Sequence, residues 1–368
     1  MTMPAPTPTA TAGSTEPMLQ VTDLKTHFDT PRGIVRAVDG VSFTLDRGKT
    51  LGVVGESGSG KTVLSRSIMG LLPKRGTIRE GSVRFDGTEI ADLSAKAMRE
   101  YWGARLSMIF QDPMTSLNPV MKIGRQITES IRQHLDVDKK YANELAENLL
   151  RSVRIPEPER RMKEYPHQLS GGMRQRVCIA VALACGPALL FADEPTTALD
   201  VTVQAQVLDL MAQQQRERFM AIVLITHDLG VVAGRADEIA VMYAGRIVEK
   251  APAGVLFSDM KMPYTEALLS SIPKLEQPSH TRLATIPGRP PNLVNPPKGC
   301  KFASRCAYVQ DRCLEEDPPL LPGPQPGHEY RCWFPVGTPE GIEALARNRA
   351  KSAAAAGSTV PGAASGTA

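Results

Sequence analysis

The sequence lacks any apolar run long enough to cross a bilayer. A membrane-spanning helix needs about 20 apolar residues, and the longest run here, from Cys178 to Ala192, is broken by Gly186-Pro187. The N-terminal stretch also lacks the basic start and apolar core of a secretory signal. We therefore expect the chain to stay in the cytoplasm unless a partner holds it elsewhere.

A strong charge of either sign is also missing. The 368 residues include 43 basic and 39 acidic ones, which gives a net charge of +4. This balance gives no indication of a nucleic-acid partner. With 42% hydrophobic and 22% charged residues, the composition is that of an ordinary globular protein of one large domain with appendages, or of two domains.

Cysteine is scarce and unevenly placed. Of six cysteines, four fall in the last fifth of the chain, at Cys300, Cys306, Cys313 and Cys332. In a reducing compartment such a cluster favours metal binding over disulfides.

A glycine-rich segment carries the first chemical signal. It follows the short apolar run Leu51–Val54 and precedes a predicted helix from Val63 to Met69. Glycines let backbone N–H groups approach phosphates, and a helix N-terminus adds positive potential. The spacing G-x-x-x-x-G-K-[ST] therefore predicts a nucleotide phosphate loop. Its binding residues are Gly55, Ser57, Gly58, Ser59, Gly60, Lys61 and Thr62.

Two acids end a second apolar strand, Leu189–Ala192. We expect Asp193 to hold Mg²⁺ together with the Thr62 hydroxyl, and Glu194 to polarise an attacking water. A solvated turn is the alternative for such a pair. The following segment, Pro195 to Asp200, argues against it.

Further motifs appear in a fixed order, and together they resemble those of the nucleotide-binding subunits of ATP-binding cassette (ABC) transporters. Leu169–Met173 is similar to the family signature L-S-G-G-Q, with Met173 in the final position. The resemblance implies a Q-loop at Gln111, a D-loop at Asp200 and a switch histidine at His227. It also implies that Phe28, before a long loop from Asp29 to Val35, stacks on adenine.

This resemblance implies ATP and Mg²⁺ as ligands, with Mg²⁺ held by Thr62, Gln111 and Asp193. Glu194, Gln111 and His227 would then be catalytic. In the family the signature residues, here Ser170, Gly171 and Gly172, complete the ATP site of a partner subunit in a head-to-tail dimer. Each chain would therefore contain half of each of two sites.

The resemblance also implies a fold and a division of the chain. The fold is α/β, a P-loop NTPase (RecA-like) ABC core with an antiparallel β subdomain, a helical subdomain and a small Cys-containing C-terminal region. We expect a cassette over residues 18–270, with the helical subdomain at about 112–184, and a C-terminal region over 271–340. Residues 1–17 are predicted to be a disordered tail, and 341–368 a mostly disordered one.

Several segments are similar to dipeptide/oligopeptide importer ATPases, including Phe110–Pro119 and Pro263–Leu269, and Gly172–Arg176 is similar to the first, D-type, of their two paralogous ATPases. This likeness implies that the chain forms a heterodimer with the paralogous ATPase, and that the two bind two membrane permeases supplied by an extracytoplasmic peptide-binding protein. It also implies that the chain is peripheral to the cytoplasmic face of the inner membrane. Nickel chelates, glutathione or other solutes are alternative cargoes. A non-transport ABC ATPase is disfavoured because the chain has one cassette and no heptad run.

The four C-terminal cysteines can hold Zn²⁺ or a [4Fe–4S] cluster. Their spacing lacks the C-x₂-C pairs usual for zinc, and relatives of this subfamily suggest the iron–sulfur cluster. Reduced structural thiols are a third interpretation. His328 is a possible substitute ligand.

Overall fold

The computed structural model describes residues 16–197, 199–272 and 286–357. The predicted disorder of residues 1–15 and 358–368 lies outside these ranges. The chain divides into two compact units, Met1–Ile247 and Val248–Ala368. The boundary near residue 270 stays a prediction; the strand containing Val248 pairs with later residues, Glu249 with Tyr330 and Lys250 with Glu329.

The N-terminal unit alternates strands and helices. Its elements are β1 Leu19–Thr30, β2 Gly33–Leu45, β3 Thr50–Val54, α1 Lys61–Ile68, β4 Thr77–Phe85, β5 Thr88–Glu89, α2 Ala95–Met98, β6 Leu106–Ile109, α3 Pro113–Ser116, α4 Ile123–His134, α5 Lys139–Ser152, α6 Pro158–Arg161, α7 Gly171–Leu183, β7 Leu189–Asp193, α8 Val201–Arg218, β8 Ala221–Thr226, α9 Leu229–Val232 and β9 Glu238–Tyr243.

Two sheets form this unit. Antiparallel strands run in the order β2-β1-β4-β5, and parallel strands in the order β9-β3-β8-β7-β6. Strands β3, β7 and β8 are buried along their whole length, as expected for parallel strands covered on both faces. One apolar core joins both sheets and includes Leu24, Phe85 and Phe191.

Helices occupy the segment between β6 and β7. The apolar positions Ile127 and Ile131 of α4, and Leu145 and Leu149 of α5, recur at helical spacing and are buried. Helices α4 and α5 pack on each other, and both contact α7. This arrangement agrees with the predicted helical subdomain of an α/β ABC fold.

The C-terminal unit is poor in regular structure. Its elements are β10 Arg246–Pro252, which begins just before the boundary, α10 Ala253–Asp259, α11 Pro263–Ser270, α12 Asp311–Glu315, β11 Leu321–Pro322, β12 Glu329–Tyr330 and α13 Pro339–Gly357. Strands β10, β12 and β11 pair antiparallel. Tyr264 and Phe302 are buried and meet edge to face with ring centroids 5.3 Å apart.

Helix α13 corrects the prediction of a mostly disordered tail from residue 341. Alanine, which dominates this segment, has the highest helix propensity of all residues. The helix is also held to the C-terminal unit, because Ala344 is buried and the Asn348 side chain donates to the carbonyls of Ala307 and Val309 at 2.9 and 2.8 Å. The composition of this segment suggested flexibility, because composition does not report the contacts that hold the helix in place.

Candidate functional site

The predicted site residues gather at one edge of the parallel sheet. Strand β3 ends at Val54, directly before the phosphate loop, and its neighbour β8 ends at Thr226, opposite Val54. Strand β7 ends at Asp193, opposite Ile225 of β8. Three neighbouring strands therefore deliver their carboxyl ends to the same place, where ligands of open α/β sheets bind.

Glycine is required in the phosphate loop by close contacts with neighbouring backbone. Gly60 has φ +104, and a Cβ there would lie 2.2 Å from the carbonyl oxygen of Ala37. At Gly55 a Cβ would lie 2.1 Å from the carbonyl oxygen of Met242. Larger residues would push the loop away from the sheet edge. The backbone N–H groups of the loop would then be displaced from the start of α1.

Lys61 is the first residue of α1, and only 5% of it is exposed. Its Nζ donates to the carbonyl oxygens of Gly55 and Glu56 at 2.7 and 3.0 Å, so the side chain lies back along the loop. Burial lowers the pKa of Lys61, although the nearby carboxylate of Glu194 opposes the shift. Because this positive charge is buried, an anion that binds beside the ammonium group would be favoured.

Thr62 and Asp193 provide a candidate Mg²⁺ site. The Thr62 hydroxyl donates to Oδ1 of Asp193 at 3.1 Å. Asp193 is fully buried, and its Oδ2 has no hydrogen-bond partner among the described residues. Burial raises the pKa of Asp193, opposed by the Thr62 hydrogen bond. A buried carboxylate oxygen without a donor, beside a hydroxyl, is a ligand set that suits a hard divalent cation.

Glu194 lies directly after β7 in a left-handed backbone conformation, with φ +46. Its Oε2 accepts hydrogen bonds from Gln111 Nε2 at 3.1 Å and from Thr197 Oγ1 at 2.9 Å. His227 Nδ1 lies 3.4 Å from the same oxygen. The structure therefore brings Gln111, Glu194 and His227 together, as the sequence predicts.

Thr197 was not among the predicted site residues. It lies in the turn after β7, where its hydroxyl bonds the carboxylate of Glu194. The spacing of three residues between Glu194 and Thr197 was the available signal, because a hydroxyl at that distance in a turn can reach back to an earlier side chain.

The signature residues lie at the start of α7, away from the loop in sequence. Ser170 is the N-cap of this helix and accepts a hydrogen bond from the Met173 backbone N–H at 3.3 Å. Ser170 and Gly171 are exposed. Asp200 likewise caps α8, with a hydrogen bond from the Val203 backbone N–H at 3.0 Å. These residues are open to a ligand or partner.

Phe28 does not precede a long loop. It lies half-buried in β1, opposite Val35 of β2, and the two strands are joined by a short turn between Thr30 and Gly33. The predicted loop from Asp29 to Val35 is wrong, because this segment pairs as a hairpin. No contact in the described residues tests the predicted stacking of Phe28 on adenine.

The four C-terminal cysteines line one small cavity, together with Tyr308 and Trp333. All four are free thiols. Burial raises the pKa of Cys300 to about 11 and that of Cys306 to about 12, and neighbouring thiols add to the effect. Within the described ranges, however, no group of three or more His, Cys, Asp or Glu side chains is arranged to hold a metal ion. A metal centre is therefore not confirmed.

His328 is not placed as a substitute ligand. Its Nε2 lies 2.9 Å from Oε1 of Glu249, and both side chains are fully buried. Glu249 also accepts from the backbone N–H groups of Lys261 and Met262. The pair is a structural anchor of the C-terminal unit.

Comparison with known proteins agrees with this geometry. The family described as "ABC transporter" matches residues 38–197, and the family described as "Oligopeptide/dipeptide transporter, C-terminal region" matches residues 248–313. The "Oligopeptide transport ATP-binding protein OppD" of Bacillus subtilis is 49% identical over 340 residues, covering 90% of this chain and 95% of the relative. The "Dipeptide transport ATP-binding protein DppD" of Escherichia coli is 46% identical over 319 residues, covering 87% and 97%.

Solved structures share the fold. The cassette cbiO1 of Clostridium perfringens, part of the ABC transporter complex cbiONQ, is 26% identical with a TM-score of 0.56, covering 66% of this chain and 92% of that one. The dimeric ATP-binding cassette MJ0796 bound to ADP and Pi is 24% identical with a TM-score of 0.59, covering 64% and 99%.

This chain belongs to the ATP-binding proteins of ABC transporters and, within them, to those of oligopeptide and dipeptide transport. It is an ABC-type ATPase, for which ATP and Mg²⁺ are the expected ligands. In the part of the chain that the structure describes, no helix is both long and apolar enough to cross a membrane.

Proposed function

We propose that this protein binds and hydrolyses ATP to drive the import of dipeptides or oligopeptides through a membrane transporter. The observation that carries the proposal is the meeting of Lys61, Thr62, Asp193 and Glu194 at one sheet edge. The names of relatives nearly half identical over most of the chain support the peptide cargo.

The phosphate loop from Gly55 to Thr62 would bind the phosphates of ATP through backbone N–H groups and through Lys61. Mg²⁺ would be held by Thr62, Asp193 and Gln111, and it would neutralise charge on the phosphates. The buried, unpartnered Oδ2 of Asp193 supports this assignment.

Glu194 would accept a proton from the attacking water. His227 would contact the γ-phosphate, since its imidazole is half exposed beside Glu194. The Nε2 of Gln111 holds Oε2 of Glu194, which leaves the amide oxygen of Gln111 as the atom that would hold the cation.

The ATP site would be completed by the signature of a paralogous ATPase in a head-to-tail heterodimer. In the same dimer, the start of α7 would contact the ATP that the partner binds, through Ser170, Gly171 and Gly172, of which Ser170 and Gly171 are exposed. Asp200 would face the dimer interface. The Ser170 hydroxyl accepts its capping bond from the Met173 N–H, so its own O–H would still be free to donate to a phosphate oxygen. Charge-assisted hydrogen bonds contribute about 1.5–3 kcal/mol each, so losing several on hydrolysis can open the dimer.

The assembly would contain two membrane permeases, and a permease would dock on the segment after Gln111 and on the helical insert. Met114 and Val120 are apolar and 63% and 80% exposed, and Phe110 beside them is 39% exposed. Exposed apolar side chains that are near one another in the sequence favour an interaction surface here. Such docking, with an extracytoplasmic peptide-binding protein on the far side, would hold the protein at the cytoplasmic face of the inner membrane.

The C-terminal unit would hold a [4Fe–4S] cluster through Cys300, Cys306, Cys313 and Cys332. The convergence of four free thiols, buried at Cys313 and Cys332 and partly buried at Cys300 and Cys306, on one cavity in a loop-rich region supports this assignment, with zinc as the alternative. A bound cluster would cross-link segments that regular structure does not join, and its positive iron ions would reverse the upward pKa shifts of the thiols.

The test is uptake by proteoliposomes that contain the two permeases, the paralogous ATPase and this chain, with the peptide-binding protein outside. ATP should drive the accumulation of labelled peptides, and the same vesicles with the Glu194→Gln variant should bind ATP without uptake. Nickel chelates and glutathione are the competing cargoes. Uptake of one of these, with no uptake of peptides, would contradict the proposed cargo but leave the ATPase assignment in place.

A further inference from the structure

The first turns of α7 and α8 lie against each other. Gly172 is in the first turn of α7, and a Cβ there would lie 3.0 Å from Cγ1 of Val203 in α8. Residues three or four apart lie on the same face of a helix, so Arg176 of α7 and Gln206 of α8 continue these two faces by one turn. There the contact becomes a hydrogen bond, in which Arg176 Nη2 donates to Oε1 of Gln206 at 2.7 Å.

Arg176 also holds α7 to the helices before it. Its Nη1 donates to the carbonyl oxygen of Val153 at 3.2 Å. Val153 is buried and directly follows α5, and α5 itself packs against α7. Hydrogen bonds from a guanidinium are charge-assisted, and its rigid fork fixes the direction of both. One side chain therefore sets the position of α7 relative to α5 and to α8.

A second arginine joins the same two helices at their far ends. Arg218 is the last residue of α8, and its Nη1 donates at 3.2 Å to the carbonyl oxygen of Leu183, the last residue of α7. Leu183 lies about 10 Å farther along α7 than Arg176. Arg176 therefore holds the end of α7 that carries Ser170, and Arg218 holds the opposite end.

The position of this first turn of α7 matters for the proposed dimer. The turn carries Gly171 and Gly172 behind their N-cap Ser170, and the neighbouring turn of α8 follows its own N-cap, Asp200. Both turns would face the partner. The donors of α7 can reach the partner's γ-phosphate only when α7 is correctly placed, and a shift of about 1 Å in a positioned group can slow a reaction about a hundredfold.

We propose that Arg176 is a positioning residue for the ATP that the partner binds. By bridging Gln206 and Val153, it fixes the start of α7 on α8 and sets where the signature donors lie in the dimer. The hydrogen bonds that it makes within the described ranges include no residue of the phosphate loop, so the ATP bound by this chain does not depend on it. This role rests on the proposed function, because only in a head-to-tail dimer does the signature meet another chain's nucleotide.

The test is photolabelling of the reconstituted complex with radioactive 8-azido-ATP and orthovanadate, which traps the nucleotide in a closed site after hydrolysis. The two ATPase chains are separated by electrophoresis, and the measured quantity is the ratio of label on the paralogous ATPase to label on this chain. Arg176→Met keeps an unbranched side chain but removes its donors. It should lower this ratio about tenfold or more, because the signature of this chain acts on the nucleotide of the paralogous ATPase.

Two further variants separate positioning from a general loss of structure. Gln206→Leu changes an exposed residue and removes only the bridge to α8. It should lower the ratio about threefold or more, and it should add little to Arg176→Met, since both changes remove the same hydrogen bond. Arg218→Gln is the matched control. It removes the bridge at the far end, so it should lower the melting temperature and leave the ratio unchanged.

Three results would overturn the role of Arg176. The first is an unchanged ratio in Arg176→Met or in Gln206→Leu, whether the two labels fall together or stay as they were. The second is an equal fall of the ratio in Arg218→Gln, because any loosening of α7 would then have the same effect. The third is an unmodified complex in which neither chain traps nucleotide, which would contradict the proposed function itself.

Discussion

The side-chain amide of Gln111 donates to Oε2 of Glu194 at 3.1 Å, across the gap between the ends of β6 and β7. In the proposed reaction these two residues have different ligands, the cation for Gln111 and the attacking water for Glu194. Their hydrogen bond uses the amide nitrogen of Gln111 and one carboxylate oxygen of Glu194, so the amide oxygen and Oε1 are left for these ligands. The two side chains are therefore already assembled before the nucleotide binds.

Glu194→Gln should stop turnover without preventing ATP binding. An amide cannot accept the proton of water, so the hydrolysis rate should fall about a hundredfold or more. Nucleotide affinity should stay within a few-fold of the original, since the phosphate contacts come from the loop. Phosphate release and binding of a fluorescent ATP analogue measure the two effects. The matched control is Glu129→Gln, an exposed carboxylate on α4, and full turnover in Glu194→Gln would exclude Glu194 as the base.

Lys61→Ala should remove tight nucleotide binding. The ammonium group is buried beside the loop carbonyls, so no water can take over its contact with phosphate. Loss of one charge-assisted contact predicts a drop in affinity of about tenfold to a hundredfold. Equilibrium binding of ATP measures it, with Lys139→Ala on the exposed start of α5 as control. An unchanged affinity would rule out the phosphate-loop assignment.

Thr197 orients Glu194, and this makes it a positioning residue. Its hydroxyl donates to Oε2 of Glu194 at 2.9 Å, the same oxygen that accepts from Gln111. Thr197→Val keeps the shape but removes the donor, so kcat should fall about threefold to tenfold while KM for ATP stays constant. Thr197→Ser should restore kcat. If Val and Ser variants behave alike, the hydroxyl has no part in orienting the carboxylate.

Asp86 gives a pH-dependent contribution to stability. Burial alone would raise its pKa, but hydrogen bonds and ion pairs with Arg47 and Arg105 hold the pKa below its ordinary value. A lowered folded-state pKa stabilises the protein above the unfolded-state value, about 3.9, and this stabilisation is lost as the pH falls through the folded-state pKa.

Asp86→Asn should therefore lower the melting temperature by a few degrees at neutral pH. The difference from the original protein should shrink as the pH falls below about 4. Partial exposure of the three side chains keeps the effect small. Thermal unfolding followed by circular dichroism at several pH values measures it. A difference that is the same at pH 3 and pH 7 would show that the charge of Asp86 is not its cause.

Local patterns were sufficient for much of the fold and of the site. The strands before the phosphate loop and before Asp193 were predictable because buried parallel strands are short apolar runs, and the helix from Lys61 because a glycine-rich turn precedes it. The order of the motifs then indicated which strand ends meet.

Features that depend on distant pairing were not predictable in this way. The hairpin that replaces the loop at Asp29 requires β1 to pair with β2 and β4, and helix α13 requires contacts such as that of Asn348 with Ala307.

The cysteine cavity predicts a metal content that can be measured. Protein purified without oxygen should be brown and should contain iron and acid-labile sulfide in equal amounts. Cys306→Ser should lose both, because it removes one of four thiols facing one cavity. Cys178→Ser is the control, since that thiol is buried in α7 with its pKa raised to about 12 by burial. Bound zinc without iron would contradict the cluster and support the alternative ion. Protein free of both metals would indicate that the four cysteines are structural thiols.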